Sequence, residues 1–431
     1  MMLTQRSIQR LIIEHEMPEV VQDLKDQARK RWYDTSTELP ELGPVYTLQQ
    51  QRANERELDR RLNSLYKLLK RPQNTSAEKN IAQEAISAAM IYFAQTALGL
   101  GDQDIAAIRS YGFAEVAVEF AQKARQFQKD IRDEDIYQAS RNVWSMNFMQ
   151  ILLGLPVSLT PSIFAFSMLY PLSDNYLDNP AIPQETKESF NRRFNQRLAG
   201  NRITPANEQE QSIDELIGMI EGQYDRTTYP GVFHSLQAIH QAQARSLALL
   251  RKNASPYEMD VLGICFEKGG TSVVADGYLV AGNLDDKQRA FMYLYGVLTQ
   301  LIDDLEDTRL DLKSGLMTVF SQTARSWPLD QVASRTFRMA DQLVDAMDVF
   351  NASGSEPFKY LLHRCLRPVM IASMGSLEKY FSRPYVQELQ RHFPYRFSFL
   401  IHERDKLARQ GVTIMGLVET FAHASHTGPG A

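Results

Sequence analysis

The segment SDNYLDNP, Ser173 to Pro180, carries two aspartates, Asp174 and Asp178, four residues apart. On a helix that spacing puts both carboxylates on one face, one turn apart. Like charges held so close repel one another unless a cation sits between them. A second segment, LIDDLEDTRLDLKSG, spaces Asp303, Asp307 and Asp311 at four and four, with Asp304 and Glu306 adding further acid. Hard divalent cations want carboxylate oxygens, and Mg²⁺ takes one or two from protein and the rest from water and substrate phosphates. Two acidic helices facing each other across an apolar interior would hold a small Mg²⁺ cluster. Such a cluster would clamp a diphosphate and stabilise it as a leaving group. The expected metal ligands are Asp174, Asp178, Asp303, Asp304, Asp307 and Asp311, and Asp174, Asp178, Asp303 and Asp307 are the expected catalytic set. Each segment alone also has a plainer reading. Asp178-Asn179-Pro180 reads as a polar helix stop, and the second segment as a solvated acidic face balanced by Arg309 and Lys313.

The elements that must position these carboxylates are helices. Apolar residues recur at three and four in ERELDRRLNSLYKLLKR, AEKNIAQEAISAAMIYFAQTAL, SIDELIGMIEGQY, VFHSLQAIHQAQARSLALLRK and RMADQLVDAMDVF. Alternating strand-like runs are scarce. Turn signals fall between the helical runs near Asn74, Gly101, Pro180, Pro205, Ser255 and Gly354. The expected fold class is all-α: a helical bundle around a central apolar cavity, with residues 1–80 as an N-terminal helical extension packed on a core of residues 81–431.

From Asn142 to Ser173 the chain carries no charge, long enough for about nine helical turns or a bilayer span. Pro156, Pro161 and Pro171 interrupt it, and Asn147, Gln150, Ser158 and Thr160 are spread through it. The better reading is two buried helices joined near Leu155 to Pro161, so no transmembrane segment is expected. An apolar interior of this kind suits a long hydrocarbon tail and would keep a carbocation from water. Charge is mixed, net −5 over 431 residues, which carries no footprint of nucleic-acid binding. Cys265 and Cys365 are the two cysteines, too few for a disulfide framework or a thiolate zinc site. With an N-terminal apolar run too short for a signal peptide, a cytoplasmic location is expected. Peripheral membrane contact and a homodimer stay open.

The ordered pair of aspartate-rich motifs resembles the class I isoprenoid synthases, an all-α superfamily of prenyltransferases, squalene synthases and terpene cyclases. NYLDN at Asn175 to Asn179, and LIDDLED at Leu301 to Asp307 with Gly315 beyond, are most similar to the motifs of the bacterial large-terpene synthases, the family of tetraprenyl-β-curcumene synthase. YDRTTYPGVFHSLQAIHQAQARSL also looks like that family's segment between the motifs, and FEKGGTSVVADGYLVAG resembles its small-residue stretch around a kinked helix. The resemblance covers roughly Ala139 to Phe320. It implies a Mg²⁺-dependent terpene synthase acting on a linear prenyl diphosphate. It also implies diphosphate contacts from Lys268 and Thr271, from Arg192 and Arg193, and from Tyr395 and Arg396. Arg309 and Lys313 stand as further candidates within the second motif. The chain departs from the family patterns in two ways. DNYLD lacks the paired leading aspartates of chain-elongating enzymes, and LIDDLED is prenyltransferase-like rather than cyclase-like. A prenyltransferase, elongating or coupling head to head, is the alternative. A non-catalytic prenyl-lipid binding protein is the second; it would need the apolar pocket but not both acidic motifs.

Overall fold

Several helices begin on a short polar cap. Thr75 closes a reciprocal capping box with Glu78, Asn207 accepts from the Glu210 amide, and Asp285 forms a capping box with Gln288. Gly315, at φ +82°, ends another helix in the left-handed region that a glycine enters without steric cost. The computed structural model describes residues 5–69, 75–178, 181–250, 258–350 and 355–409. Some side chains inside those ranges, including those of Asp174 and Asp178, lie outside the described residues.

Eighteen α-helices are described, and no strand occurs among the described residues. They are α1 (Gln5–Asp34), α2 (Leu48–Leu69), α3 (Ser76–Ala97), α4 (Asp102–Ser110), α5 (Phe113–Phe127), α6 (Asp133–Leu152), α7 (Pro161–Asp178), α8 (Gln184–Leu198) and α9 (Glu208–Gln223). They continue with α10 (Pro230–Ser246), α11 (Val261–Ala281), α12 (Asp286–Glu306), α13 (Thr308–Ser314), α14 (Val319–Thr323), α15 (Asp330–Asp345), α16 (Ser355–Ser376), α17 (Arg383–Arg391) and α18 (Phe397–Arg409). The turn signals at Gly101 and Pro205 fall between helices, and those at Asn74, Pro180, Ser255 and Gly354 lie outside the described residues. The fold is an all-α bundle.

The chain forms two compact units. The first holds residues 1–36, 138–327 and 338–355; the second holds 37–137, 328–337 and 356–431. Residue 80, the expected domain boundary, falls inside the second unit. In the second unit α2 packs on α3. Gln51 donates to the carbonyls of Gln390 and Phe393 at 2.7 and 2.8 Å, and Tyr395 stacks between Phe93 and Phe399.

In the first unit α11 is the central helix, with α1, α7, α10 and α12 packed on it. It is buried nearly all round, as a helix enclosed by neighbours must be. Its glycines explain how. Gly269 of α11 lies against the backbone of Gly296 in α12, and Gly270 lies under the ring of Tyr293. Either glycine of the first pair, given a Cβ, would drive it into the other's carbonyl oxygen. The stretch expected around a kink runs as one unbroken helix, and its small residues serve backbone-to-backbone packing.

The uncharged segment forms the two helices expected. α6 ends at Leu152 and α7 begins at Pro161. Val143, Met146, Met149, Ile163, Phe164 and Met168 are buried, each such side chain stabilising the fold by about 1.5–3 kcal/mol. The scattered amides have a task. Asn147 donates to Gln150 at 2.9 Å, while Gln150 both donates to the Ser158 carbonyl at 3.2 Å and accepts from its amide at 3.1 Å. The reversal between the helices is thereby tied from inside. Among the described residues, no helix is long and apolar enough to cross a membrane.

The glycine contact yields a test by urea denaturation. Gly296→Ala should lower stability by about 3 kcal/mol, because the added methyl meets backbone that cannot yield. Gly218→Ala in α9, exposed with nothing near the new methyl, should gain up to about 1 kcal/mol from helix propensity. Equal effects at both sites would mean that α11 and α12 are not locked by contact.

Candidate functional site

The two helices that carry the acidic motifs, α7 and α12, both pack on α11. α12 follows α11 after a short link and runs back along it, so Gly296 meets Gly269 and Asp304 reaches the level of Cys265. α7 starts beside the end of α11, where Ser162 donates to the Leu279 carbonyl at 2.9 Å. Asp174 lies twelve residues further along α7, about 18 Å at 1.5 Å per residue. The acidic ends of α7 and α12 are helix C-termini, where the aligned peptide dipoles already carry partial negative charge. Carboxylates there need a cation.

The second motif divides into two faces. Asp303 and Asp307 reach solvent, Asp303 in part and Asp307 more fully, and Asp303 forms an ion pair with Arg141 of α6. Partial desolvation and then the charge of Asp303 raise the Asp307 carboxyl above its usual range, with Arg141 pulling the other way. Asp304 and Asp311 are buried. The four-and-four spacing predicts one face for Asp303, Asp307 and Asp311. The helix breaks at Asp307, between α12 and α13, and this turns Asp311 inward. Asp304 Oδ1 accepts from Gln300 at 2.7 Å, whereas Oδ2 is buried with no partner of ordinary geometry. Burial pushes Asp304 up to about 6, against the opposing pull of Gln300 and the Lys268 charge. Burial, then the charges of Asp304 and Asp307, push Asp311 up to about 7. The Cys265 thiol, buried beside Asp304, is raised well above its usual value, first by burial.

The expected basic residues are dispersed. Lys268 is half-buried in this neighbourhood, with no hydrogen-bond or ion-pair partner among the described residues. Thr271 is buried and donates to the Glu267 carbonyl at 2.6 Å, within its own helix. Arg193 is committed to Glu210 and to Ser189, and Arg192 is exposed. Arg309 and Lys313 are exposed on α13. Arg396 pairs with Glu55, and Tyr395 is fully buried; both belong to the second unit.

Two groups escape a sequence reading. Arg141 is the last charge before the uncharged stretch, a signal visible only once that stretch is known to be helical. Asp276 is buried in α11, its Oδ2 accepting from Ser145 at 3.4 Å and its Oδ1 without a partner among the described residues. Burial raises it well above the carboxylate range. Tyr295, packed edge-on against Phe148 at 5.1 Å, lies beside it and is pushed up to about 12 by burial. A separate cleft of about 350 Å³ opens between α1, α10 and α11, lined in part by Lys25, Gln241, Arg245 and Glu267; no residue of either acidic motif lines it.

Among the described residues no three His, Cys, Asp or Glu side chains group as ligands of a metal ion. A cage made wholly of protein is not what Mg²⁺ requires, since one or two carboxylates suffice beside phosphates and waters. Asp303 and Asp307 fit that demand: adjacent, solvent-reaching, mutually repelling and at a helix C-terminus. Comparisons with protein-family models, with curated proteins and with solved structures returned no match to the chain.

Asp311 gives a pH test in chelator. Its folded value of about 7 exceeds its ordinary 3.8, so its stabilising contribution is complete below about 3.8 and is lost as pH rises through about 7. Asn mimics the protonated form. The stability of Asp311→Asn relative to wild type should therefore rise from pH 4 to pH 7 by an amount of order 2 kcal/mol and then level off. A difference constant across that window would show that Asp311 ionises freely.

Proposed function

We propose that the chain is a Mg²⁺-dependent class I terpene synthase, of the large-terpene synthase kind, that ionises a linear prenyl diphosphate to a cyclic or linear terpene. One observation carries this reading. Two helices that both pack on α11, α7 and α12, follow apolar runs and end in aspartates. A polar helix stop or a solvated acidic face gives no reason for two apolar helices packed on one partner to end alike.

In this reading Asp303 and Asp307 hold the metal from one wall, and Asp174 and Asp178 from the other. Asp304 and Asp311 stand behind the first wall. Bound Mg²⁺ supplies charge neutralisation to the departing diphosphate. Lys268, whose charge already acts on Asp304 and Asp311, is the cation of the chain placed to assist the same anion. The apolar side chains of α6, α7 and α12 would hold the hydrocarbon and keep water from the allylic cation. Ring closure would move the positive charge to another carbon, and loss of a proton, or capture of one water with loss of its proton, would then give the neutral hydrocarbon or alcohol. The resemblance of the two motifs to those of large-terpene synthases supports the same conclusion.

The test is incubation with C10 to C35 prenyl diphosphates and Mg²⁺, with and without isopentenyl diphosphate, followed by mass spectrometry. A diphosphate-free hydrocarbon or alcohol from one substrate is expected, abolished by EDTA and restored by Mg²⁺. Asp303→Asn should cut turnover by about two orders of magnitude with the fold intact, a neutral amide being a poor ligand. A longer diphosphate formed only with isopentenyl diphosphate would assign chain elongation, and a product of doubled carbon count head-to-head coupling. Tight binding of prenyl diphosphate without turnover would assign a lipid-binding role.

A further inference from the structure

We propose that the cleft between α1, α10 and α11 is a second binding site, for a small amphiphilic anion: a carboxylate or phosphate head on a short hydrocarbon chain. The site stands apart from the acidic motifs, and no step of the function proposed above passes through it. The cleft measures about 350 Å³, toward the small end of the roughly 300–1,000 Å³ of ligand pockets. All of its walls belong to the first unit.

Its ionic end is built around Glu267 of α11. The residue is only 8% exposed, and two cations share its carboxylate. Lys25 Nζ donates to Oε2 at 3.2 Å, and Arg245 Nη2 donates to Oε1. Neither cation bonds anything else among the described residues. An ammonium has three donors and a guanidinium five, so Glu267 leaves most of them unused. The charges do not balance either. Lys25 and Arg245 line the cleft against one carboxylate, Glu267. Asp23 and Asp26, which flank Lys25 on α1, do not line it. The Lys25 side chain is 15% exposed, and a surplus charge so shielded from water gains from a counter-ion that brings its own acceptors. Carboxylates and phosphates are such anions, and the planar fork of arginine pairs with the oxygens of either.

The spacing along two helices adds a place for a tail. Met17, Val21 and Lys25 recur every four residues on α1, and Ala238, Gln241 and Arg245 follow at three and four on α10, so each set shares one helix face. Both sets line the cleft. Each passes from apolar to cationic, and the two cations meet at Glu267. At 1.5 Å per residue, Met17 lies about 12 Å before Lys25 along α1, and Ala238 about 10 Å before Arg245 along α10. The anionic head therefore sits at Glu267, and its chain lies along Met17, Val21 and Ala238. A salt clasp that only fastened α1 to α10 and α11 would need neither the surplus cation nor the graded walls.

Calorimetry on the full chain in EDTA tests this, with no metal at the aspartates of α7 and α12. The probes are octyl phosphate and octanoate below their micellar concentrations, with inorganic phosphate and octylamine as controls. One saturable site for an octyl anion is expected, and the tighter of the two names the head group. Inorganic phosphate should bind at least about tenfold more weakly than octyl phosphate, and octylamine should not bind. Arg245→Gln should weaken binding about tenfold, through loss of a charge-assisted bond. Ala238→Phe, which fills the tail region without touching a charge, should abolish it. Glu267→Gln should tighten it about threefold or more, because the competing carboxylate charge is gone; a clasp that only held helices together would show no such gain. If Glu267→Gln fails to fold, the other two variants decide. Absence of saturable binding by both octyl anions overturns the proposal. So does equal affinity for inorganic phosphate, or binding that Arg245→Gln and Ala238→Phe both leave unchanged.

Discussion

Everything at the acidic end depends on how closely α11 and α12 approach. Helices normally meet through side chains, at 8–10 Å between axes. Here Gly269 and Gly296 remove the side chains at the crossing, and backbone meets backbone. Each helical glycine costs about 0.5–1 kcal/mol in conformational entropy, so the arrangement is stable only because the contact returns more than that. Its geometric result is register. With Gly296 fixed on Gly269, Asp304 comes within reach of the Cys265 thiol and the Lys268 charge, and the following break at Asp307 carries Asp311 to the same buried side.

Burial and exposure then sort the carboxylates. Asp303 and Asp307 keep solvent and lie beside the Arg141 charge. Asp304, Asp311 and Asp276 lose solvent and are raised above the usual carboxylate range by burial. Buried acids of this kind are held in protonated form far more cheaply than as uncompensated anions. One short acidic run thus contains groups suited to grip a cation and groups suited to stay neutral behind them.

Much of the fold was legible in the residues. Helical periodicity and the turn signals at Gly101 and Pro205 placed elements, and the prolines and amides of the uncharged stretch marked a reversal between two helices. Both acidic motifs fall at the ends of helices that pack on α11, as apolar runs leading into aspartates suggest. What spacing could not give was the facing of Asp311. A four-and-four pattern assumes one continuous helix, and the chain breaks at Asp307. Nor could local sequence separate basic residues that face an acidic motif from those used elsewhere. Arg193 and Arg396 sit in suggestive sequence, yet each is bound to a carboxylate, Glu210 and Glu55, that is distant along the chain. Arg141 was passed over for the converse reason: its partner lies in another helix, and nothing beside it in sequence announces the pair.

The amide clasp between α6 and α7 has a consequence for how the molecule divides its labour. Asn147, Gln150 and Ser158 are neutral at every accessible pH, and their bonds are shielded inside the protein. Salt and proton concentration, which reshape interactions among ionised groups, have no purchase on them. Two turns before the clasp, α6 carries Arg141, whose solvent-reaching ion pair with Asp303 answers to ionic conditions. The pair of helices is therefore insulated at one end and responsive at the other. Ionic events at the acidic end can proceed without loosening the joint that keeps both helices in register.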